Sequence, residues 1–175
     1  RNGSNIKSYK IYSVNGTNHS LLTTVPFADY SQYIDISSDP LHQPSAYVMT
    51  TVNNSDVESA YSNPHHTMFL QASKGTNPND ANLLWQPYLD ERGIINPDSV
   101  LIYKGKTAAT MTLLKKVAYQ NTLQMYTDDT FDCISAIYQV AISVSVCTPS
   151  GTLKAESGPY AQSLSNIAEY KTTSS

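Results

Sequence analysis

His65 and His66 stand side by side, and a pair of imidazoles is a natural start to a transition-metal site. In an extended segment, however, neighbouring side chains point to opposite faces. No Cys or carboxylate stands at a spacing that would complete the ligand set, so the pair reads as a solvated linker. Asp128, Asp129 and Asp132 could line a calcium loop together with backbone carbonyls, since calcium takes about six to eight oxygens in a flexible geometry. Acidic residues after a strand are also ordinary turn formers whose carboxylates bond their own backbone, and that is the simpler reading here. Ser, His and Asp are all present, but no serine sits in a Gly-x-Ser-x-Gly elbow or other catalytic context, and no nucleophile, base and orienting group can be assembled. With seven glycines and no phosphate-cradling pattern among them, nucleotide binding is disfavoured. The expectation is a chain with no catalytic residues, no cofactor and no metal.

The two cysteines, Cys133 and Cys147, flank the alternating run Ala136 to Val146. Fully extended at about 3.3 Å per residue, that run holds its ends more than ~30 Å apart, against the roughly 4.4–6.8 Å between Cα atoms in a disulfide. Two isolated thiols, or pairing outside this segment, fit better than a bond between them. Asn2, Asn15, Asn18 and Asn53 each begin an Asn-x-Ser/Thr triplet, which marks exposed turns more than glycans in so Asn-, Ser- and Thr-rich a chain. Of the 13 tyrosines, Tyr12, Tyr33, Tyr47, Tyr103, Tyr126 and Tyr138 fall at regular strand positions. Tyr61, Tyr88, Tyr119 and Tyr160 fall near loops or strand ends and are the candidate contacts for a peptide or glycan ligand. A net charge of −3 with no basic run argues against a nucleic-acid partner. No stretch approaches the ~20 apolar residues of a membrane helix.

The elements that must position these residues repeat. Tyr9-Lys10-Ile11-Tyr12, Leu21-Leu22, Tyr33-Ile34-Asp35, Ala46-Tyr47-Val48 and Glu58-Ser59-Ala60-Tyr61-Ser62-Asn63 are followed by a second series. That series is Val100-Leu101-Ile102-Tyr103, Leu113-Leu114, Tyr126-Thr127-Asp128, Ile137-Tyr138-Gln139-Val140 and Leu164-Ser165-Asn166-Ile167. Tyr12 to Tyr33 is 21 residues and Tyr103 to Tyr126 is 23, which a strand-for-strand duplication explains. Only 14% of residues are charged and 40% are apolar, and period-two alternation dominates over any amphipathic helix.

The second copy predicts strands near residues 67–72, 82–86, 99–103, 112–118, 123–127, 136–146 and 163–170. Trp85, Tyr103, Tyr138, Val140 and Ile142 are expected in one core. The first copy predicts strands at 8–14, 20–25, 32–36, 46–52 and 60–63, with nothing to match the two opening strands of the second. The boundaries are 1–64 for a partial domain and 65–175 for a complete one. Because Arg1-Asn2-Gly3-Ser4 leads into strand pattern almost at once, the chain reads as a cut through a longer protein. The first copy is then expected to present an open strand edge to other domains or to another chain.

This order of motifs resembles fibronectin type III domains as found in secreted and cell-surface bacterial proteins. Trp85 in Leu83-Leu84-Trp85-Gln86 matches the tryptophan of that family's second strand, and Tyr47 and Tyr138 match the tyrosine of the sixth. Trp85-Gln86-Pro87-Tyr88, Ile102-Tyr103 and Ser163 to Ala168 look most like domains of large extracellular proteins of the Bacteroidota. The resemblance implies an all-β fold of two tandem immunoglobulin-like sandwiches, the first lacking its first two strands. It also implies an extracellular or cell-surface location and a non-catalytic spacer or protein-interaction role. A glycan- or host-protein-binding adhesin module, or accessory domains of a secreted hydrolase, are the alternatives. The links Leu89 to Pro97 and Phe131 to Ser135 are longer than the family pattern needs and sit where such folds carry recognition loops.

Overall fold

Period-two alternation builds strands, and the chain is all-β with its strands in three antiparallel sheets. The computed structural model describes residues 5–27, 33–90, 97, 99–131, 135–147 and 160–171, without the side chains of 144–147 and 160–161. In chain order the strands are β1 (Ile6–Asn15), β2 (Asn18–Pro26), β3 (Ala46–Asn53), β4 (His65–His66), β5 (Leu70–Lys74) and β6 (Ala81–Trp85). They continue with β7 (Ser99–Gly105), β8 (Thr112–Ala118), β9 (Gln124–Asp128), β10 (Ser135–Cys147), β11 (Tyr160–Leu164) and β12 (Ala168–Lys171). The first sheet has the order β2-β1-β3-β4. The second runs β11-β10-β7-β8, with β12 also on β10, and the third runs β5-β6-β9.

The duplication holds to the register. Ile11 pairs with Met49 and Ser13 with Tyr47 across β1 and β3. Ile102 pairs with Val140 and Lys104 with Tyr138 across β7 and β10, each residue 91 positions later. The first hairpin has a bulge between Ile11 and Tyr12, and its counterpart has one between Ile102 and Tyr103. A bulge kept at the same place fixes which side chains face which way on either side of it, since a one-residue slip would turn every later residue to the opposite face. The β1–β2 turn is two residues long, and Gly16 supplies the positive φ of 60° it needs.

The copies differ in what they bury. Leu70, Ala81, Leu83 and Trp85 from the third sheet share one buried cluster with Val100, Ile102, Tyr138, Val140 and Ile142 from the second. Every member of that cluster lies between Met68 and Tyr170. The expected core is thus found in the second copy, with one correction: Tyr103 is only half-buried. Ile102 points inward, so by period two Tyr103 points outward, where its hydroxyl accepts a bond from the Gln162 amide at 3.3 Å. Phe131, expected in a recognition loop, is buried and packs on Tyr170 with ring centroids 4.9 Å apart.

Three further expectations also differ. Tyr33–Asp35 form no strand and Ile36 lies in a turn, while Gln32 is outside the described residues. The counterpart of this segment, β9, is paired only to β6, and the described residues of the first copy contain no strand equivalent to β6. A strand without a ladder partner has nothing to hold it extended. Residues 60–63 form no regular strand either, although Ser59 N–H and Ser62 N–H bond to Thr51 O and Met49 O along β3. Finally, His65–His66 are half-buried rather than a solvated linker. They pair with Tyr47 and Ala46 on one side, and His66 exchanges backbone bonds with Leu89 at 2.8 and 3.2 Å on the other.

Candidate functional site

Of the four tyrosines expected as ligand contacts, the structure brings Tyr88 and Tyr119 together. Tyr61 packs edge-on against Tyr12 at 5.1 Å and against His19 at 4.3 Å. Tyr88 packs against His65 at 4.9 Å and its carbonyl accepts the Tyr119 hydroxyl at 3.2 Å, so these two meet where the copies join. The backbone of Tyr160 pairs with Cys147, and its side chain lies outside the described residues. Cys133 and Asp132 also lie outside them, so the cysteine and calcium readings of those residues go no further. Among the described residues no cluster of His, Cys, Asp or Glu could hold a metal ion.

What the strands do bring together is a pair of polar networks, each present twice. In the second copy the Asp128 carboxylate is buried and accepts the Tyr138 hydroxyl at 2.7 Å, the Thr130 hydroxyl at 2.6 Å and the Thr130 backbone N–H at 3.0 Å. Lys104 adds an ion pair at 2.8 Å. Burial pushes the carboxyl's pKa up, but the bonds from Lys104, Thr130 and Tyr138 outweigh it and hold the group below the ordinary carboxylate range. In the first copy Asp35 accepts the Tyr47 hydroxyl at 2.9 Å, the Ser37 hydroxyl at 2.6 Å and the Ser37 N–H at 2.9 Å. The residue types and bonding roles are the same, with Ser for Thr and no lysine, because Ser13 stands where Lys104 does.

The second network bonds β3 next to β4 and fills the gap along β10 between its partners β12 and β11. Ser165 donates its N–H to Val140 O at 2.9 Å, accepts the Val140 N–H on its hydroxyl at 3.0 Å and donates that hydroxyl to Asn166 O at 2.7 Å. Ser62 repeats all three bonds with Met49 and Asn63 at 2.8, 3.0 and 3.0 Å. A side-chain oxygen thus stands in for the next ladder carbonyl. Beyond Ser165, the Asn166 carboxamide clamps the backbone of Leu70, accepting its N–H at 2.7 Å and donating to its carbonyl at 3.0 Å. This two-point grip ties the sheet β5-β6-β9 to the end of the chain. Asn63, the counterpart of Asn166, is exposed and its carboxamide bonds no described residue.

The two faces of the first sheet are unlike. One carries Tyr12, Val48, Thr50 and Val52, all buried, and is roofed by Glu58 and Tyr61. Glu58 accepts from Lys10 at 2.5 Å, Tyr12 at 2.6 Å and Thr50 at 2.7 Å, which lowers its carboxyl to a pKa of about 2. The other face carries Tyr9, Ile11 and Met49. Ile102 and Val140, the counterparts of Ile11 and Met49, are fully buried, whereas Met49 is 45% exposed. Phe27, Ile34, Ile36 and Leu41 in the same copy are exposed too, Ile36 at 92%. This face, on which Tyr9, Ile11 and Tyr47 are half-buried and Met49 exposed, is the candidate site beside Asn63.

Among the described residues, a shallow cleft at the end of β7 is lined by Lys104, Lys106, Thr107, Thr110, Thr112 and Ala136. Its cation Lys104, partly buried, is committed to Asp128 and Thr130. The sequence patterns Tyr-x-Asp and Ser-Asn already contained Asp35, Asp128, Asn63 and Asn166. Their recurrence in both copies was the available signal, but their hydrogen-bonding roles needed the geometry. No protein-family model matches the chain, and no curated protein sequence is similar to it.

Proposed function

We propose that the chain is a pair of tandem immunoglobulin-like β-sandwiches of fibronectin type III type, the first short of its two opening strands. In this reading they serve as a non-catalytic spacer or protein-interaction part of a larger secreted or cell-surface protein. The observation that carries it is the reuse of polar chemistry: Asp35 and Asp128, and Ser62 and Ser165, perform the same structural bonding in both copies. These two carboxylates and two hydroxyls are thereby engaged with the scaffold, which supports a role carried by surface. The glycan-binding alternative is weaker because Tyr88 contacts both Tyr119 and His65 within the junction.

The intact chain should show no turnover of ester, peptide or glycoside substrates above a heat-denatured control. Activity that stays with the purified chain and disappears on one substitution would overturn the proposal.

A further inference from the structure

We infer that residues 65–67 lock the two copies into one rigid body, with β4 serving as backbone to both and Thr67 holding it in place. Domains joined by a short link ordinarily move against each other unless a specific or extensive contact prevents it. Here the link itself is laddered on two sides. Towards the first copy, β4 pairs with β3, His65 opposite Tyr47 and His66 opposite Ala46. Towards the second, His66 donates its N–H to Leu89 O at 2.8 Å and accepts the Leu89 N–H at 3.2 Å, the reciprocal pair of an antiparallel ladder. The first sheet therefore continues through β4 into the backbone that follows β6.

Thr67 fixes the exit from β4. Its N–H donates to Ser45 O at 2.9 Å, and its hydroxyl donates to the same carbonyl at 3.2 Å and accepts the Ser45 N–H at 2.9 Å. Side chains brace the same boundary, with the His65 ring edge-on to Tyr88 at 4.9 Å and the Tyr119 hydroxyl donating to Tyr88 O at 3.2 Å. His65, His66, Thr67, Tyr88 and Leu89 are all half-buried, which shields these bonds in part from competing water. A hinge needs torsions free to turn. Ser62 is bonded to Met49, the ring of Pro64 fixes its φ, residues 65–67 are laddered, and Met68 and Leu70 are set in the second core. A bend at residues 63–64 must peel β4 from β3 and Thr67 from Ser45, and a bend after β4 must break the His66–Leu89 pair. Each bond is modest singly, but a bend must open several at once. The inference deepens the spacer half of the proposed function and rests on it: a spacer without a joint holds what adjoins its two ends at a fixed angle.

The test is nuclear magnetic resonance on the full chain, with backbone dipolar couplings measured in a dilute aligning medium. Couplings from β1 and β3 and those from β7 and β10 should fit a single alignment tensor. The double variant His65→Ala/Thr67→Val removes the ring contact and the hydroxyl bonds while leaving the backbone N–H groups in place. It should need two tensors, and the amides of His66 and Leu89 should exchange about tenfold faster or more. Thr67→Ser, which keeps the hydroxyl, should retain the single tensor. Two tensors in the unsubstituted chain, or one tensor with unchanged exchange in the double variant, would overturn the inference. The couplings of the unsubstituted chain decide the matter even where the double variant fails to fold. Turnover of a substrate would count against the non-catalytic reading and leave the tensors untouched, so the two failures are distinguishable.

Discussion

Trp85→Ala should destabilise the second copy by about 3–5 kcal/mol in urea melts followed by circular dichroism. Trp85 is 1% exposed and lies in the central strand of its sheet, between Leu70 and Gln124, facing the β7–β10 layer across the core. Removing an indole there forfeits its transfer energy and leaves a cavity that paired strands on both sides cannot collapse to fill. Against the ~5–15 kcal/mol that holds a typical domain together, this is a large fraction. The indole Nε1 is buried with no partner among the described residues, so Trp85→Phe, which deletes that N–H and keeps an aromatic ring, should cost clearly less. A loss below about 1 kcal/mol for the alanine variant would place Trp85 outside the core.

Asp128→Ala should cost a similar amount, about 3–5 kcal/mol, for a different reason. It removes the carboxylate that accepts the buried Tyr138 hydroxyl and pairs with the partly buried Lys104 ammonium, and breaking one side of such a pair is costlier than never having built it. The corresponding change in the first copy, Asp35→Ala, should have a much smaller effect because Asp35 has no lysine partner and its neighbours are half exposed. Asp128 should also register in the pH dependence of stability. A carboxyl whose folded pKa is depressed contributes stability that is complete above its unfolded value, near 4, and is lost as pH falls through the depressed one. Acid should therefore weaken the second copy below about pH 4, and Asp128→Asn should flatten that dependence. Equal losses for Asp35→Ala and Asp128→Ala, or an unchanged acid limb in Asp128→Asn, would contradict this account.

The duplication was legible in the sequence because it is written in period-two runs that both copies need: Tyr9 to Tyr12 and Val100 to Tyr103 reappear as β1 and β7, and Ala46 to Val52 and Ala136 to Val146 within β3 and β10. Trp85, Tyr138, Val140 and Ile142 were legible as core for the same reason. Residues 32–36 misled because a strand pattern states what a segment can pair with, and pairing also requires a neighbour. The pattern matches β9, but among the described residues its ladder partner is present only in the second copy. His65–His66 misled in the opposite sense, since two polar residues after a proline look like a solvated link. Only the three-dimensional arrangement shows Tyr47, Ala46 and Leu89 on either side of them. The clamp of Asn166 on Leu70 joins residues 96 positions apart, a distance over which no local pattern carries information.

The central claim is that one scaffold occurs twice and is closed over a core only in the second copy. Native-state hydrogen exchange on the intact chain tests it most directly, by comparing the β9 amides that bond to β6 with those of Tyr33–Asp35, and the amides of Val140 and Ile142 with those of Met49 and Thr51. The account predicts that β6, β9 and β10 exchange slowly and together, that Tyr33–Asp35 exchange at close to the free-chain rate, and that Met49 and Thr51 open well before Val140 and Ile142. Equal protection of Tyr33–Asp35 and β9 in the chain alone would show that the first copy closes its own core, and would contradict the account.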